Sequence, residues 1–391
     1  MKPLAYSRFV YALLGMVLVL FLDGAVYAQA AKPSRAILFV IDGLSSEAPE
    51  RLGLKNIQRL AQQGTLYRKA YLVMPAHPKS GAWAEMHTAS IPNPVMLSGT
   101  LFVRRQTRLV QEMFDNKAFT AHLASTRNAY RSVNRRFNFS YMDSNGDESA
   151  IDWAIAVMEK EDVAFMCIHL QATGSAGKLS ASGQANLPWK NNIWGEGSPY
   201  IEKAKRADEL LGKFVQSLED MGKWEDTLLI VTADHGQADE GNHPMNNEGS
   251  WITPLIFVGA GIARGRVYEY AEHIDIIPTL CHMMGIEPPS SGPGAGTVLE
   301  EIKESNPGTA KSRRQFLREI NEDLKHYYDL LESAEHRAMK DAEFRQQLDQ
   351  WQAEIYSMER FPAWHKAGSL SRLIETNRRV LRNMQAALSM P

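Results

Sequence analysis

Three short segments carry side chains able to hold a divalent cation and attack an ester. The first is Ile41-Asp42-Gly43. The second is Thr88-Ala89-Ser90-Ile91-Pro92-Asn93-Pro94. The third is Ala233-Asp234-His235-Gly236, followed closely by Gly241-Asn242-His243. Carboxylates and neutral imidazoles are the ligands that a zinc-like cation takes. A hydroxyl just ahead of a helix can use the exposed backbone N–H groups there to hold an anion. Metal coordination can also turn that hydroxyl into a nucleophile. Taken singly, each piece has a structural explanation, because an Asp after a strand commonly forms a turn or a cap. Carboxylate, imidazole and hydroxyl recurring in order at strand ends are much harder to explain structurally.

The elements that must position these groups can be read from apolar runs. Ala36 to Ile41 (AILFVI), Val163 to Leu170 (VAFMCIHL) and Thr227 to Thr232 (TLLIVT) read as strands buried on both faces, and Leu255 to Val258 as a short fourth. Leu54 to Gln62 and Ile201 to Leu218 have helical spacing. Strands alternating with helices imply an α/β fold with a mostly parallel central sheet and helices on both faces. Chemistry in such folds gathers at the carboxyl ends of the strands. Asp42 and the Asp234-His235 pair fall at two such ends.

Beyond the Pro/Gly/Ser-rich stretch Pro288 to Gly296 the character changes. Phe316, Ile320, Leu324, Tyr327 and Leu331 recur at helical spacing. So do Phe344, Leu348, Trp351, Ile355 and Met358, and then Leu370, Leu373, Val380, Met384 and Leu388. Three amphipathic helices are expected, with breaks near Ser333 to Asp341 and at Pro362 to Gly368. Packing of this tail on the chain's own body is favoured over a partner or oligomer surface.

The chain has 391 residues, a net charge of −2 and two cysteines. That balance excludes a basic nucleic-acid footprint, and no nucleic-acid partner is expected. Two cysteines exclude a disulfide framework or a Cys-based zinc module. At the N-terminus Lys2 and Arg8 precede an apolar run from Phe9 to Leu22, broken by Asp23-Gly24 and followed by Ala28-Gln29-Ala30. This is the pattern of a secretory signal peptide, too short to span a bilayer comfortably. An uncleaved membrane anchor is the alternative. Cleavage after Ala30 or Ala28 implies a periplasmic or secreted protein, with no transmembrane span once the signal is removed. In an oxidising compartment Cys167 and Cys281 could pair, but two separate buried thiols fit their expected strand and helix equally well. The expected organisation is therefore residues 1–30 as signal peptide, 31–300 as a metal-dependent hydrolase domain and 301–391 as a helical extension.

The three segments together resemble the alkaline phosphatase superfamily, nearest its nucleotide pyrophosphatase/phosphodiesterase and ethanolamine-phosphate transferase branches. The resemblance runs from about Ala36 to Pro289 and includes Thr253 to Ile262 (TPLIFVGAGI) and Ile274 to Ile286 (IDIIPTLCHMMGI). It implies an alkaline-phosphatase-like sandwich. It also implies that Asp42, Asp234 and His235 bind one metal, with Ser90 as the nucleophile and a further ligand. Thr88 is the second choice of nucleophile. His243 matches the lone histidine that helps to hold a second metal, and Asn93 with the Pro92-Asn93 helix start would hold a substrate oxygen.

The chain departs from the family at that second metal. Members with two metals carry Asp-x-x-Gly-His after a strand. Here the strand runs into Gln171-Ala172-Thr173-Gly174-Ser175-Ala176-Gly177-Lys178. Alignment on His169 and Gly177 puts Gly174 at the Asp position and Lys178 at the His position. Alignment on Gly174 puts Gln171 and Ser175 there. Either register loses the carboxylate and the imidazole, and one histidine cannot hold a cation that wants about four ligands. One divalent metal is expected, zinc favoured, with manganese or calcium open. The Lys178 ammonium could replace the missing charge opposite the substrate's anionic oxygens; a solvated loop lysine is the plainer reading. Sulfatases of this superfamily need Cys or Ser in a C/S-x-P-x-R context. Pro94 stands in place of that Arg, so Ser90 is expected to act as a plain hydroxyl.

Weaker features complete the reading. Asp143 to Glu148 has the oxygen spacing of a calcium loop, but a solvated turn fits better because its Gly is misplaced. Trp83, His77 and His87 could line the pocket, and the long loop Leu179 to Gly197, with Trp189 and Trp194, could cap it. Two functions follow. The first is an exported metal-dependent hydrolase or transferase of small phosphate or sulfate esters, acting through Ser90. The second is a non-catalytic relative that uses the fold as a binding or assembly module.

Overall fold

The computed structural model describes residues 32–72, 78–90, 103, 105–126, 133–244, 246–292, 294–306, 308, 315–355 and 370–389. The expected signal peptide, His77 and the Pro92-Asn93 helix start lie outside the described residues.

Strands β1 (Arg35–Ile41), β2 (Thr65–Tyr71), β3 (Phe119–Ala124), β4 (Phe139–Met142), β5 (Val163–Leu170), β6 (Thr227–Thr232), β7 (Ile252–Gly259), β8 (Arg266–Tyr268) and β9 (Ala271–Glu272) form one sheet. Its order is β4-β3-β5-β1-β6-β7-β2-β8, with β9 also on β2. Only β7 runs against its neighbours, so the sheet is mostly parallel. The apolar runs are continuous because both faces are covered. Ala36, Leu38 and Val40 of β1 enter one core, and Ile37, Phe39 and Ile41 enter the other. This is the period-2 alternation of a strand between two helical layers.

Helices α1 (Lys55–Gln63), α2 (Pro78–Thr88), α3 (Asp147–Lys160), α4 (Ala172–Ser182), α5 (Pro199–Asp220) and α6 (Ile276–Met284) flank the sheet. Helices α1, α3 and α5 supply the core on one face, whereas α2 and α6 supply the other. The structure differs from the sequence expectation in two places. The Gly/Ser-rich segment after β5 is a helix, α4, and not a loop; the long connection begins only at Gly183. Asp147 is not part of a solvated turn. It is buried at the start of α3, where its carboxylate accepts from Gln171 N at 3.0 Å and Ala172 N at 3.3 Å. Burial raises its pKa, while these contacts fix the first turn of α4.

The tail forms α7 (Phe316–Ala338), α8 (Ala342–Glu354) and α9 (Leu370–Leu388). The first of these runs through Ser333, so the expected break shrinks to Met339–Asp341, where the Asp341 side chain caps α8. Residues 362–368 lie outside the described residues. Leu317, Ile320 and Leu324 of α7 and Leu370, Leu373 and Ile374 of α9 join the core of the body. The far halves of α7 and α9 close on α8 in a separate cluster around Phe344, Leu348, Val380 and Met384. Among the described residues, no helix is long and apolar enough to cross a membrane.

One carboxylate in the tail carries a pH signature. Burial pushes Asp323 of α7 up to about 6, against the pull of Arg378 Nε at 3.4 Å. An acid raised above its unfolded value of about 3.9 stabilises the fold when protonated. That contribution is full below about pH 4 and is lost as pH rises through about 6. Asp323→Asn is expected to raise the melting temperature by a few degrees at neutral pH and hardly at all near pH 4. Thermal melts at the two pH values check this, and an equal shift at both contradicts it.

Candidate metal centre

The register of the central strands brings the chemistry together. Val40 of β1 pairs with His169 of β5 on one side and Thr232 of β6 on the other. The next residues along each strand end are therefore Asp42, at the end of β1, and Asp234, at the end of β6. Asp42 N donates to Leu170 O at 2.9 Å, so the β1 chain stays paired up to the ligand itself. Gly43 then turns with φ +64° and donates its N–H to Asp234 Oδ1 at 3.1 Å. A side chain at Gly43 would fall 2.8 Å from the Gly174 backbone, so glycine is needed for conformation and for space.

Asp42, His169 and Asp234 are buried with ligand atoms that all lie within 4.8 Å of one another. His169 Nε2 is 3.1 Å from Asp42 Oδ2. His235, also buried, has its Nδ1 2.6 Å from Gly236 O. A carbonyl can only accept, so Nδ1 carries the proton, and in the neutral form of the ring Nε2 is left as the lone pair that a cation takes. That Nε2 has no hydrogen-bond partner among the described residues, and faces Asp42 Oδ1 at 3.6 Å and Asp234 Oδ1 at 3.9 Å. Three acceptors converging in a buried place repel one another unless a cation sits among them. The donor set therefore fits a divalent metal, with Asp42, Asp234 and His235 as ligands and His169 beside them as a fourth. This oxygen and imidazole set suits zinc or manganese. The ring of His243 lies 4.0 Å from that of His235, centroid to centroid, so the structure brings His243 to the edge of the same centre.

In the sequence His169 stands out only as a point on which the segment after the strand aligns. The available signal was an imidazole one residue before the end of an otherwise apolar strand adjoining β1. Trp83 of α2 is the other contributor. Its indole Nε1 donates to Asp234 Oδ2 at 3.1 Å, and its ring meets that of His169 edge-on at 4.7 Å. An indole donor to a buried carboxylate fixes which oxygen is left for a cation. Behind Trp83, His87 and His122 are fully buried packing residues.

The nucleophile segment follows α2. Ser90 Oγ donates to Thr88 Oγ1 at 3.2 Å, and Thr88 Oγ1 donates to Ala84 O at 2.7 Å. Thr88 is buried with its proton committed to its own helix, whereas Ser90 is partly exposed. Asn93 lies outside the described residues.

The missing second-site ligands have a structural counterpart. Gly174, in the first turn of α4, lies against Asp42: a Cβ there would sit 1.7 Å from Asp42 Oδ1. A Cβ at Gly177 would sit 1.8 Å from the Gln237 side-chain amide. Backbone thus packs where the two-metal pattern needs a carboxylate. Lys178 is exposed on α4, next to the inward-facing Gly177. The connection after α4 reaches the ligand segment through Trp194 Nε1, which donates to Asp239 Oδ1 at 2.6 Å. Arg135 and Arg136 pair with Glu112. Cys167 and Cys281 are both buried and unpaired as thiols, and burial pushes Cys281 up to about 12.

Residues 111–286 match the sulfatase family model. A segment of 107 residues is 34% identical to the multifunctional alkaline phosphatase superfamily protein PehA of Trinickia caryophylli, covering 26% of this chain and 21% of that protein. A segment of 100 residues is 29% identical to lipoteichoic acid synthase of Staphylococcus aureus, covering 22% and 16%. The chain thus matches about a fifth of the length of these curated relatives. A putative sulfatase from Bacteroides thetaiotaomicron superposes with a TM-score of 0.56 at 15% identity, over 73% of this chain and 79% of that one. The fold is thus similar to that of a sulfatase, and part of the chain, residues 111–286, resembles the sulfatase family.

Proposed function

We propose that the protein is an exported hydrolase or transferase of small anionic phosphate or sulfate esters, acting through Ser90 at a single divalent metal. The observation that carries this reading is the bare Nε2 of His235 facing two buried carboxylates. Asp42, Asp234, His235 and His169 would hold the cation, and His243 would border it. When bound, the cation supplies positive charge that favours an ionised nucleophile and offsets negative charge building on the ester.

The chain's own groups do the rest. Trp83 and Gly43 hold the Asp234 carboxylate in place. Thr88 accepts the Ser90 hydroxyl and so orients its oxygen. Ser90 Oγ forms a bond to phosphorus or sulfur as the bond to the leaving alcohol breaks, and the alcohol departs with a proton. Water, or a second alcohol in a transferase, then displaces Ser90. Lys178, one helical turn beyond Gly174, is the candidate to meet the ester's anionic oxygens. Gly174 against Asp42 supports one metal and not two.

Assay of purified protein, loaded with zinc or manganese, on chromogenic phosphate monoesters, phosphate diesters, phosphonates and sulfates tests the reading. Turnover of at least one class, abolished by a chelator and restored by metal, is expected. No turnover of any class by metal-loaded protein would overturn it in favour of a binding module.

A further inference from the structure

The turn His273–Asp275, just before α6, touches both halves of the proposed site without contributing to either. On one side His273 Nε2 donates to Ala233 O at 2.9 Å, immediately before Asp234 and His235. The same ring's Nδ1 lies 3.5 Å from Glu85 Oε2 on α2, and both side chains are fully buried. On the other side Asp275 Oδ1 accepts from Thr297 N at 2.8 Å and Thr297 Oγ1 at 3.1 Å. Residues 295 and 296 are in turn bound to the nucleophile segment. Gly296 N donates to Ala89 O at 3.0 Å, and Ser90 forms an isolated antiparallel bridge with Ala295.

Ala89 is held with φ +56°. A non-glycine residue in the left-handed region persists only where the surroundings dictate it. Here the contacts that hold it are its own N–H to Glu85 O at 3.0 Å, at the end of α2, and those to residues 295 and 296. Gly296 itself is pressed so closely on the turn that a Cβ would meet Ile274 O at 2.0 Å. Two chains of contact thus leave one short turn. One runs through His273 to the Asp234-His235 ligand pair, the other through Asp275, Thr297 and Gly296 to Ala89 and Ser90.

We propose that the His273–Asp275 turn is a positioning clasp that fixes the Ser90 hydroxyl relative to the metal ligands Asp234 and His235. The inference rests on the reading of Ser90 as the nucleophile at the metal. His273, Asp275 and Gly296 are positioning residues. They act by locking the strained Ala89-Ser90 corner, much as a tight turn presents the serine in other hydrolases.

Cobalt(II) is the probe. In the full-length Ser90→Cys protein, a thiolate-to-cobalt charge-transfer band reports residue 90 at the metal, and the presence of visible d–d bands reports that cobalt is bound. The parent protein, which keeps Cys167 and Cys281, provides the blank. Adding Gly296→Ala to Ser90→Cys is expected to abolish the charge-transfer band and leave the d–d bands. Thr297→Val, a milder change at the same clasp, serves in its place if circular dichroism shows that Gly296→Ala does not fold. No charge-transfer band in the Ser90→Cys protein with cobalt bound would overturn the reading of Ser90 and the clasp with it. A band that survives the clasp substitution would overturn the clasp alone. So would loss of the d–d bands together with the charge-transfer band, because the turn would then act on the metal ligands.

Discussion

Replacing Ser90 with alanine is expected to lower ester turnover by about a thousandfold or more, with metal affinity changed far less. The asymmetry follows from the geometry. Ser90 sits on the segment after α2, whereas the buried candidate ligands Asp42, Asp234, His235 and His169 sit at the ends of β1, β5 and β6. Removing one hydroxyl leaves that donor set intact. Thr88→Val should cost much less, because the Thr88 proton is spent on Ala84 O and its role is to orient Ser90. Steady-state rates and metal titrations of the two variants check this. A Thr88→Val protein as inactive as Ser90→Ala would shift the nucleophile to Thr88.

The second large effect is acid unfolding. Burial lowers the pKa of His87 to about 4 and of His122 to about 3. Both rings are neutral in the fold and take up protons near 6.5 when unfolded. A base held below its unfolded value stabilises the fold fully above about pH 6.5, and that contribution is lost as pH falls towards the folded values. Two such groups give a slope of about two protons, or roughly 2.7 kcal/mol per pH unit, in the steep part of that window. Denaturant titrations between about pH 6.5 and 4.5 should show this fall, and His87→Phe should reduce its slope by about one proton. An unchanged slope in that variant would show that His87 is not buried in its neutral form.

Much of the site was legible because it lies where the sheet ends. The runs AILFVI, VAFMCIHL and TLLIVT are buried on both faces, so they stand out as strands, and Asp42 and Asp234-His235 follow two of them directly. His169 was hidden inside such a run, where nothing local separates a ligand from a packed histidine. Helix α2 was not legible because its buried residues include Trp83, Glu85, His87 and Thr88, which leave no apolar stripe. Helix α4 reads as a loop for a related reason. Its Gly174 and Gly177 are there to let backbone approach Asp42 and Gln237, at the expense of helix propensity. Strand β2 (TLYRKAY) has its apolar pattern interrupted by Arg68-Lys69, and the short β3 carries Thr120 and His122. Pairing with strands distant in sequence, and not local pattern, makes both of them strands.

On the proposed reading one metal is held by Asp42, Asp234 and His235 with His169 beside them. Equilibrium dialysis of chelator-stripped protein against zinc or manganese, with the bound metal counted by mass spectrometry, tests it most directly. One equivalent per chain is predicted, falling to near zero in Asp42→Ala. Two equivalents per chain, or one equivalent that survives Asp42→Ala, would contradict it.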